Sequence, residues 1–383
     1  MRKIALRLAT ALAMLAALSG PWHPAPALAN GVGTIYVACE TDNSVAVVDS
    51  TTNTVVEVIP LELPPRSIAF SPDAHFVYVS HVASNLISVI DTSVEDVVAS
   101  IKAGARVGWI TVAASGAWLL ATDTGQGKLR VFDTTSRQEL YAVTVGGSPD
   151  MVAATPDGSM AFTADRDSGV ISAVDLRRRQ VIRTMQAGSG SHYLAVSPSG
   201  QEALVSGSRA TELLVLDAST GEPKRTLDIG GPSGAIALSP TGDTAYLARG
   251  ERNEIGVIDL ARGGVTTIPL SGAPLGLGTS RDGKRVYTTL KETNRLAVVD
   301  TAKRSTLAEV LVERGAGELA VSPLQPKESG AVMPSALPNT GDGDSAFPEA
   351  GILGLLLAAV GGVARMLSSA GRQTPAGPSS RDC

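Results

Sequence analysis

A short run of alternating apolar and polar residues that ends in aspartate recurs along the chain. Alternation with a period of two predicts a β-strand. The run occurs seven times, and its copies end at Asp49, Asp91, Asp133, Asp175, Asp217, Asp259 and Asp300. Successive aspartates are 42, 42, 42, 42, 42 and 41 residues apart. A period in the forties with several short strands per unit is typical of a β-propeller, in which each repeat forms one blade.

Each repeat predicts four strands. In the second complete stretch they cover residues 67–70, 76–79, 86–90 and 97–101. Turns built from Ser, Pro, Asp and Gly separate the first strand from the second in most repeats. No helical period interrupts these strands, so the sequence predicts an all-β chain.

Counting strands also predicts how the ring closes. The strand at residues 34–37 matches a second strand, and the blade that it begins lacks a first strand. A matching first strand follows the last repeat, at residues 318–323. Pairing this C-terminal strand with the three N-terminal strands completes a blade and removes two free sheet edges. We therefore predict a seven-bladed β-propeller with four-stranded blades.

The predicted second strands contain related tetrapeptides. They are Tyr36-Val37-Ala38-Cys39, Tyr78-Val79-Ser80-His81, Tyr246-Leu247-Ala248-Arg249 and Tyr287-Thr288-Thr289-Leu290. Over roughly residues 33–323 the repeats resemble the YVTN family of β-propellers, which is found in surface-layer and exported proteins of bacteria and archaea. The resemblance implies the fold and an extracytoplasmic location. It implies no particular activity, since propellers serve in binding, structure and catalysis.

The N-terminus has the pattern of a secretory signal peptide. Basic residues precede an apolar run at residues 8–18, and a Pro-rich stretch ends in Ala27-Leu28-Ala29. Cleavage is expected after Ala29. The apolar run is shorter than the ~20 residues that span a bilayer, so we expect export rather than membrane insertion.

The C-terminus resembles the LPxTG cell-wall sorting signal of Gram-positive bacteria. The motif is Leu337, Pro338, Asn339, Thr340 and Gly341, and an apolar segment follows at residues 351–364. The resemblance implies that sortase cleaves after Thr340 and joins it to peptidoglycan, which places the protein on the cell wall. A C-terminal membrane tail anchor is the alternative. The predicted organisation is a signal peptide (1–29), propeller (30–323), spacer (324–336) and sorting signal (337–383).

Composition and charge narrow the function classes. Hydrophobic residues make up 44% of the chain, enough for a buried core, and the formal net charge is −5. No Lys/Arg block occurs in the body of the chain, which argues against a nucleic-acid partner. Sorting would leave Cys39 as the one cysteine, so we expect no internal disulfide. Cys39 could pair with His81 as a catalytic dyad, but the sequence favours an inert, buried thiol.

The repeating aspartates are interpreted as structural. Each ends a third strand before a tight turn, where a carboxylate accepts backbone N–H groups. Seven copies spread around a ring cannot converge on one ligand.

Functional residues are expected where the repeats differ, at one mouth of the central channel. The starts of the first strands place Arg66, Trp109, Asp150, His192, Tyr193 and Glu318 there, and the ends of the second strands add His81, Asp123, Asp165 and Arg249. Mixed charge and aromatic rings in a concavity are typical of a ligand site. No catalytic residue, metal site or cofactor is predicted.

Two functions remain open. The first is a non-catalytic module that binds a protein or glycan at the cell surface. The second is an exported enzyme, such as a lactonase-like hydrolase or a quinone-dependent dehydrogenase, acting at the same mouth. A channel metal could use only Asp150, Asp165 and Glu318 as its carboxylates. The sequence favours binding, because residue types that support catalysis are few.

Overall fold

The computed structural model of the chain describes residues 33–113, 116–188 and 190–324. The predicted signal peptide, most of the spacer, and the sorting signal lie outside these residues and stay predictions. In the part of the chain that is described, no helix is long and apolar enough to cross a membrane.

The prediction of a seven-bladed propeller is confirmed, with 28 strands in seven four-stranded antiparallel sheets within the described residues. Blades 1 to 6 each consist of four strands that are consecutive in the chain, and blade 7 combines the C-terminal strand with the three N-terminal strands. The first strands of blades 1 to 7 are β4 (Pro65–Phe70), β8 (Val107–Val112), β12 (Pro149–Ala154), β16 (Ser191–Val196), β20 (Ile236–Leu238), β24 (Pro274–Thr279) and β28 (Ala316–Val321). The second strands are β5 (Phe76–His81), β9 (Trp118–Asp123), β13 (Met160–Asp165), β17 (Glu202–Gly207), β21 (Thr244–Arg249), β25 (Arg285–Leu290) and β1 (Thr34–Cys39).

The third and fourth strands complete each blade toward the outer rim. The third strands are β6 (Leu86–Asp91), β10 (Lys128–Asp133), β14 (Val170–Asp175), β18 (Glu212–Asp217), β22 (Glu254–Asp259), β26 (Arg295–Asp300) and β2 (Ser44–Asp49). The fourth strands are β7 (Asp96–Lys102), β11 (Glu139–Thr144), β15 (Gln180–Gln186), β19 (Pro223–Asp228), β23 (Val265–Pro269), β27 (Ser305–Leu311) and β3 (Thr54–Pro60). A short 3₁₀ turn, Gly250–Arg252, follows β21.

The predicted closure between the two ends of the described chain is also confirmed. Strand β28 pairs antiparallel with β1, with Val321 opposite Ile35 and Leu319 opposite Val37. The first strands contact one another in succession around the ring, and β28 contacts both β24 and β4. Strand β28 therefore completes blade 7 and connects it to both neighbouring blades.

The hydrophobic core lies between the blades. Seven clusters of buried side chains each combine residues of two neighbouring blades. Second strands are buried on both faces because a blade packs against each side, and Tyr36, Tyr78 and Tyr287 are almost fully buried. Fourth strands instead alternate between exposed and partly buried positions, as in β15. The burial pattern along a strand thus depends on the position of the strand within its blade.

The structural role of the repeating aspartates is confirmed. Asp49 Oδ1 accepts the N–H groups of Thr51 and Thr52 at 2.6 and 3.0 Å. Equivalent bonds to backbone N–H groups are made by the remaining copies, Asp91, Asp133, Asp175, Asp217, Asp259 and Asp300. Four residues after each aspartate the backbone enters the left-handed region, as at Asn53 with φ 55°. The carboxylate holds the turn in this conformation.

One of these left-handed positions links blade 1 to blade 7. Glu95, with φ 51°, follows Asp91, and Tyr36 Oη of blade 7 donates to Glu95 Oε2 at 2.5 Å. Glu95 Oε1 is buried and has no hydrogen-bond partner among the described residues. Burial raises the pKa of Glu95 to about 7, the Tyr36 bond opposes the rise, and the charges of Glu57 and Asp91 add to it.

We expect Glu95→Gln to reduce the pH dependence of stability. The folded state retains a proton that the unfolded chain loses near the ordinary pKa of 4.5, so stability falls as pH rises from 4.5 through about 7. Partial exposure of Glu95 screens the effect. We therefore expect the free energy of unfolding to fall by roughly 1–2 kcal/mol less in the variant than in the native protein between pH 5 and pH 8. Urea unfolding at both pH values measures this difference. An unchanged pH slope in the variant would contradict the assignment.

Candidate functional site

The predicted mouth of the channel contains a bonded cluster of side chains from different blades. Arg66 Nη2 of blade 1 donates to Asp150 Oδ1 of blade 3 at 2.5 Å. Arg66 also lies over the ring of Trp109 in blade 2, with 4.8 Å between the guanidinium carbon and the ring centre. Side-chain exposure is 29% for Arg66 and 10% for Asp150. Three of the predicted residues therefore form one connected group across three blades.

Only one of the two carboxylate oxygens of Asp150 accepts a hydrogen bond within this group. Its second oxygen, Oδ2, is buried and has no hydrogen-bond partner among the residues that the structure describes. The Nε atom of Arg166 lies 3.9 Å from Asp150 Oδ2. Because a buried carboxylate oxygen without a donor is costly, Asp150 retains a hydrogen-bonding capacity that the described residues leave unused.

His192 and Tyr193 extend the cluster into blade 4. Their rings lie 4.2 Å apart between centres. His192 Nδ1 donates to the Gly190 carbonyl at 2.8 Å, which leaves Nε2 as an acceptor, and Arg166 Nη2 lies 3.2 Å from it. Burial lowers the pKa of His192, although the Gly190 bond opposes this, and the charge of Arg166 lowers it further. His192 is therefore a neutral acceptor beside Arg166.

Glu318 of blade 7 belongs to the same electrostatic environment. It is half-buried, and desolvation raises its pKa to about 7, while the charge of Arg66 opposes the rise and that of Asp150 adds to it. Its charge in turn contributes to the raised pKa of Tyr193, which burial chiefly causes. The structure thus brings together all six predicted residues at the starts of first strands.

The structure gives the residues at the ends of the second strands a different environment. His81 Nδ1 donates to the Leu63 carbonyl at 3.0 Å, and its Nε2 lies 2.8 Å from Ser88 Oγ. Arg249 Nη2 donates to the Ile229 carbonyl at 2.8 Å. Both side chains hold the inter-blade loop that leads into their own blade.

Asp123 and Asp165 hold the equivalent loops. Asp123 accepts the N–H groups of Ala105 and Arg106 at 3.1 and 3.2 Å, and Asp165 Oδ2 accepts the Ser148 N–H at 2.5 Å. These four residues therefore surround the cluster and support loops in their own part of the ring, and Arg249 Nε is buried without a hydrogen-bond partner among the described residues. The direction of a side chain at a strand end depends on the loop it meets, which strand alignment alone does not reveal.

Two arginines at the mouth were missed by the sequence analysis. Arg166 immediately follows the aligned position of Asp165, and Arg106 lies two residues before the aligned position Gly108. A cavity of about 300 Å³ is lined by both arginines together with Arg66, Asp150 and other residues. Extending the alignment by one residue past the second strands, and by two before the first strands, would have included both.

Cys39 is buried, which is consistent with the inert-thiol interpretation. Burial raises the pKa of its thiol to about 12, so little thiolate forms at neutral pH. Both ring nitrogens of His81 are engaged by Leu63 and Ser88. Within the described ranges, no group of three or more His, Cys, Asp or Glu side chains is arranged to hold a metal ion.

Comparison with known proteins gives a family match at the level of sequence. A family model described as YNCE-like beta-propeller matches residues 27–321. No curated protein matches the chain at a significant level.

Solved structures share the architecture at low sequence identity. Hydrazine synthase of Kuenenia stuttgartiensis has a TM-score of 0.64 and 19% identity, covering 70% of this chain and 93% of that chain. A functionally unknown protein from Desulfotomaculum acetoxidans has a TM-score of 0.64 and 13% identity, and the match covers 77% of this chain and 100% of that chain. Dihydro-heme d1 dehydrogenase NirN in complex with DHE has a TM-score of 0.61 and 15% identity, and the match covers 81% of this chain and 78% of that chain. At these identities the likeness concerns the fold alone.

Proposed function

The chain belongs to the YNCE-like β-propeller family, and on that premise we propose that it is an exported, non-catalytic binding module of the cell surface. Its ligand site is the cavity at the channel mouth, defined by Arg66, Arg106, Asp150 and Arg166. Trp109, His192, Tyr193 and Glu318 form the surroundings of this site. The partner is a surface protein, a glycan or a smaller molecule carried by one of them.

The convergence of charged side chains on this cavity supports the proposal. Arg66, Arg106 and Asp150 come from separate blades, or the loops leading into them, and line the same space. The buried Asp150 Oδ2 has no donor in the described part of the chain. Concave sites with a few convergent polar groups are where proteins most often bind small ligands.

The surface location rests on the two terminal signals. We propose that the signal peptide is removed after Ala29 and that sortase joins Thr340 to peptidoglycan. Intact mass of protein released from the native wall by a muralytic enzyme tests this. A chain from Asn30 to Thr340 carrying a peptidoglycan fragment is expected, whereas a chain ending at Cys383 in the membrane fraction would favour the tail anchor.

We expect a ligand of the mouth to stabilise the native protein but not an Asp150→Asn variant. A thermal-shift screen would cover neutral sugars, peptides, organic anions, divalent cations and quinones. A ligand at 100 times its Kd stabilises the folded state by about 2.7 kcal/mol. Asp282→Asn is the control, because Asp282 serves a turn after the first strand of blade 6.

The outcome separates the candidate functions. Shifts of equal size in the native protein and in Asp150→Asn would place binding elsewhere and overturn the mouth as the site. A shift caused by calcium or a quinone and abolished by the variant would favour an exported propeller enzyme.

A further inference from the structure

The cavity at the mouth is small and carries excess positive charge. Its volume is about 300 Å³, at the lower end of the range for ligand pockets. The charged residues that line it are Arg66, Arg106, Arg166, Asp150 and Asp167. Three guanidinium groups against two carboxylates leave one net positive charge. A site of this size and charge suits one small anionic group.

Two of the three guanidinium groups have no carboxylate oxygen within hydrogen-bond distance among the described residues: Arg106, whose Nε donates to Thr124 Oγ1 at 2.8 Å, and Arg166. Arg66 is paired with Asp150 at 2.5 Å. Arg166 instead lies beside the neutral ring of His192, with Nη2 at 3.2 Å and Nε at 3.4 Å from His192 Nε2. Asp150 is 3.9 Å from Arg166, beyond hydrogen-bond distance. Side-chain exposure of Arg166 is 54%, so its guanidinium can reach a ligand.

The neutral His192 ring carries no negative charge that could neutralise Arg166. It also carries no positive charge that could attract the anion away from Arg166. The Gly190 carbonyl fixes the proton on Nδ1, and burial keeps the ring neutral at neutral pH. The ring therefore orients Arg166 without neutralising it. A guanidinium presented in this way binds a planar carboxylate through two parallel N–H···O bonds.

We propose that the cavity binds a small monocarboxylate, with Arg166 holding the carboxylate group and Arg106 supporting it at the rim. This inference rests on the proposed function and specifies the ligand class. A single net positive charge matches a monoanion. The carboxylates of Asp150 and Asp167 disfavour a phosphate dianion, because each added negative charge would face them across a small cavity.

The test uses matched pairs of probes that differ in the carboxylate. Isothermal titration of the full protein compares glucuronate with glucose and lactate with lactamide, and inorganic phosphate is included. At least one carboxylate is expected to bind about tenfold more tightly than its neutral partner and than phosphate, as one charge-assisted bidentate pair supplies.

Arg166→Gln is expected to remove that preference, while the matched control Arg252→Gln retains it. Arg252 has the same side-chain exposure of 54% and lies in the equivalent loop of blade 5, where it donates to the Gly230 carbonyl. Arg166→Lys should bind with intermediate affinity, because it keeps the charge but loses the bidentate geometry.

Three results would overturn the inference: binding of neither carboxylate, tighter binding of phosphate, or unchanged carboxylate affinity in Arg166→Gln. If a neutral compound from the broader screen binds in an Asp150-dependent manner while both carboxylates fail, the proposed function stands and the ligand class is wrong. If carboxylates bind to native protein and to Arg166→Gln alike, the site itself lies elsewhere.

Discussion

A chain that ends at Glu313, and therefore lacks β28, is expected to lose its cooperative unfolding transition. Strand β28 supplies the first strand of blade 7 and contacts the first strands of blades 6 and 1. Its removal leaves the backbone of β1 unpaired on one edge and deletes Leu319 from a core cluster. The lost pairing and burial amount to about 5 kcal/mol or more, comparable with the whole stability of a typical domain.

Circular dichroism and urea unfolding measure this loss, and a chain that ends at Leu324 is the control. The control retains β28 and the hydrogen bond from the Gly33 N–H to the Leu324 carbonyl. We expect it to unfold like the full chain. Matching midpoints for the chains ending at Glu313 and Leu324 would show that closure by β28 contributes little to stability.

Asp123→Ala is expected to be the most destabilising single substitution at the mouth face, at about 3–5 kcal/mol. Arg130 is buried and donates from both Nε and Nη2 to Asp123 Oδ2 at 2.9 Å. Gly104, with φ 80°, leaves room for the carboxylate. Burial opposes the ionisation of Asp123, but hydrogen bonds from Arg130 and the backbone prevail and lower its pKa. Removing the carboxylate leaves a buried guanidinium whose one remaining ion-pair partner among the described residues is Glu139.

Urea unfolding would compare Asp123→Ala with Asp133→Ala, a carboxylate that accepts the Ser136 N–H in an exposed turn. The control is expected to cost about 1 kcal/mol. The double variant Asp123→Leu with Arg130→Met should recover part of the loss, because it removes both charges together. A cost below that of the control would contradict a role for Asp123 as the counter-charge of Arg130.

The residues that meet at the channel mouth could be predicted by aligning the repeats. Arg66 and Asp150 occupy equivalent positions at the starts of first strands, and Trp109 lies one position further in its repeat, so the alignment places all three around one channel mouth. Their mutual contacts, such as the bond between Arg66 and Asp150 across 84 residues, follow from ring closure. The positions of the strands could be predicted from the sequence because most strands are six or seven residues long and turn residues bound them.

The roles of Arg166, Asp165 and His81 could not be predicted by aligning the repeats. Asp165 and His81 end second strands, yet each bonds to a loop 17 or 18 residues earlier in the chain. Arg166, one position further, lines the cavity instead. Neighbouring residues at a strand end thus have different roles, since the path of the following loop decides which side chain faces the channel.

The repeat, the number of blades, the closing strand and the structural role of the repeating aspartates could all be predicted from the amino-acid sequence. Each depends on local signals: alternation along a strand, a turn residue after it, and a constant spacing. The division of polar side chains into those that support loops and those that line the cavity could be seen only in the folded protein. The same holds for the neutral state of His192 beside Arg166. These depend on contacts among blades far apart in the chain, where burial and neighbouring charge set side-chain direction and protonation.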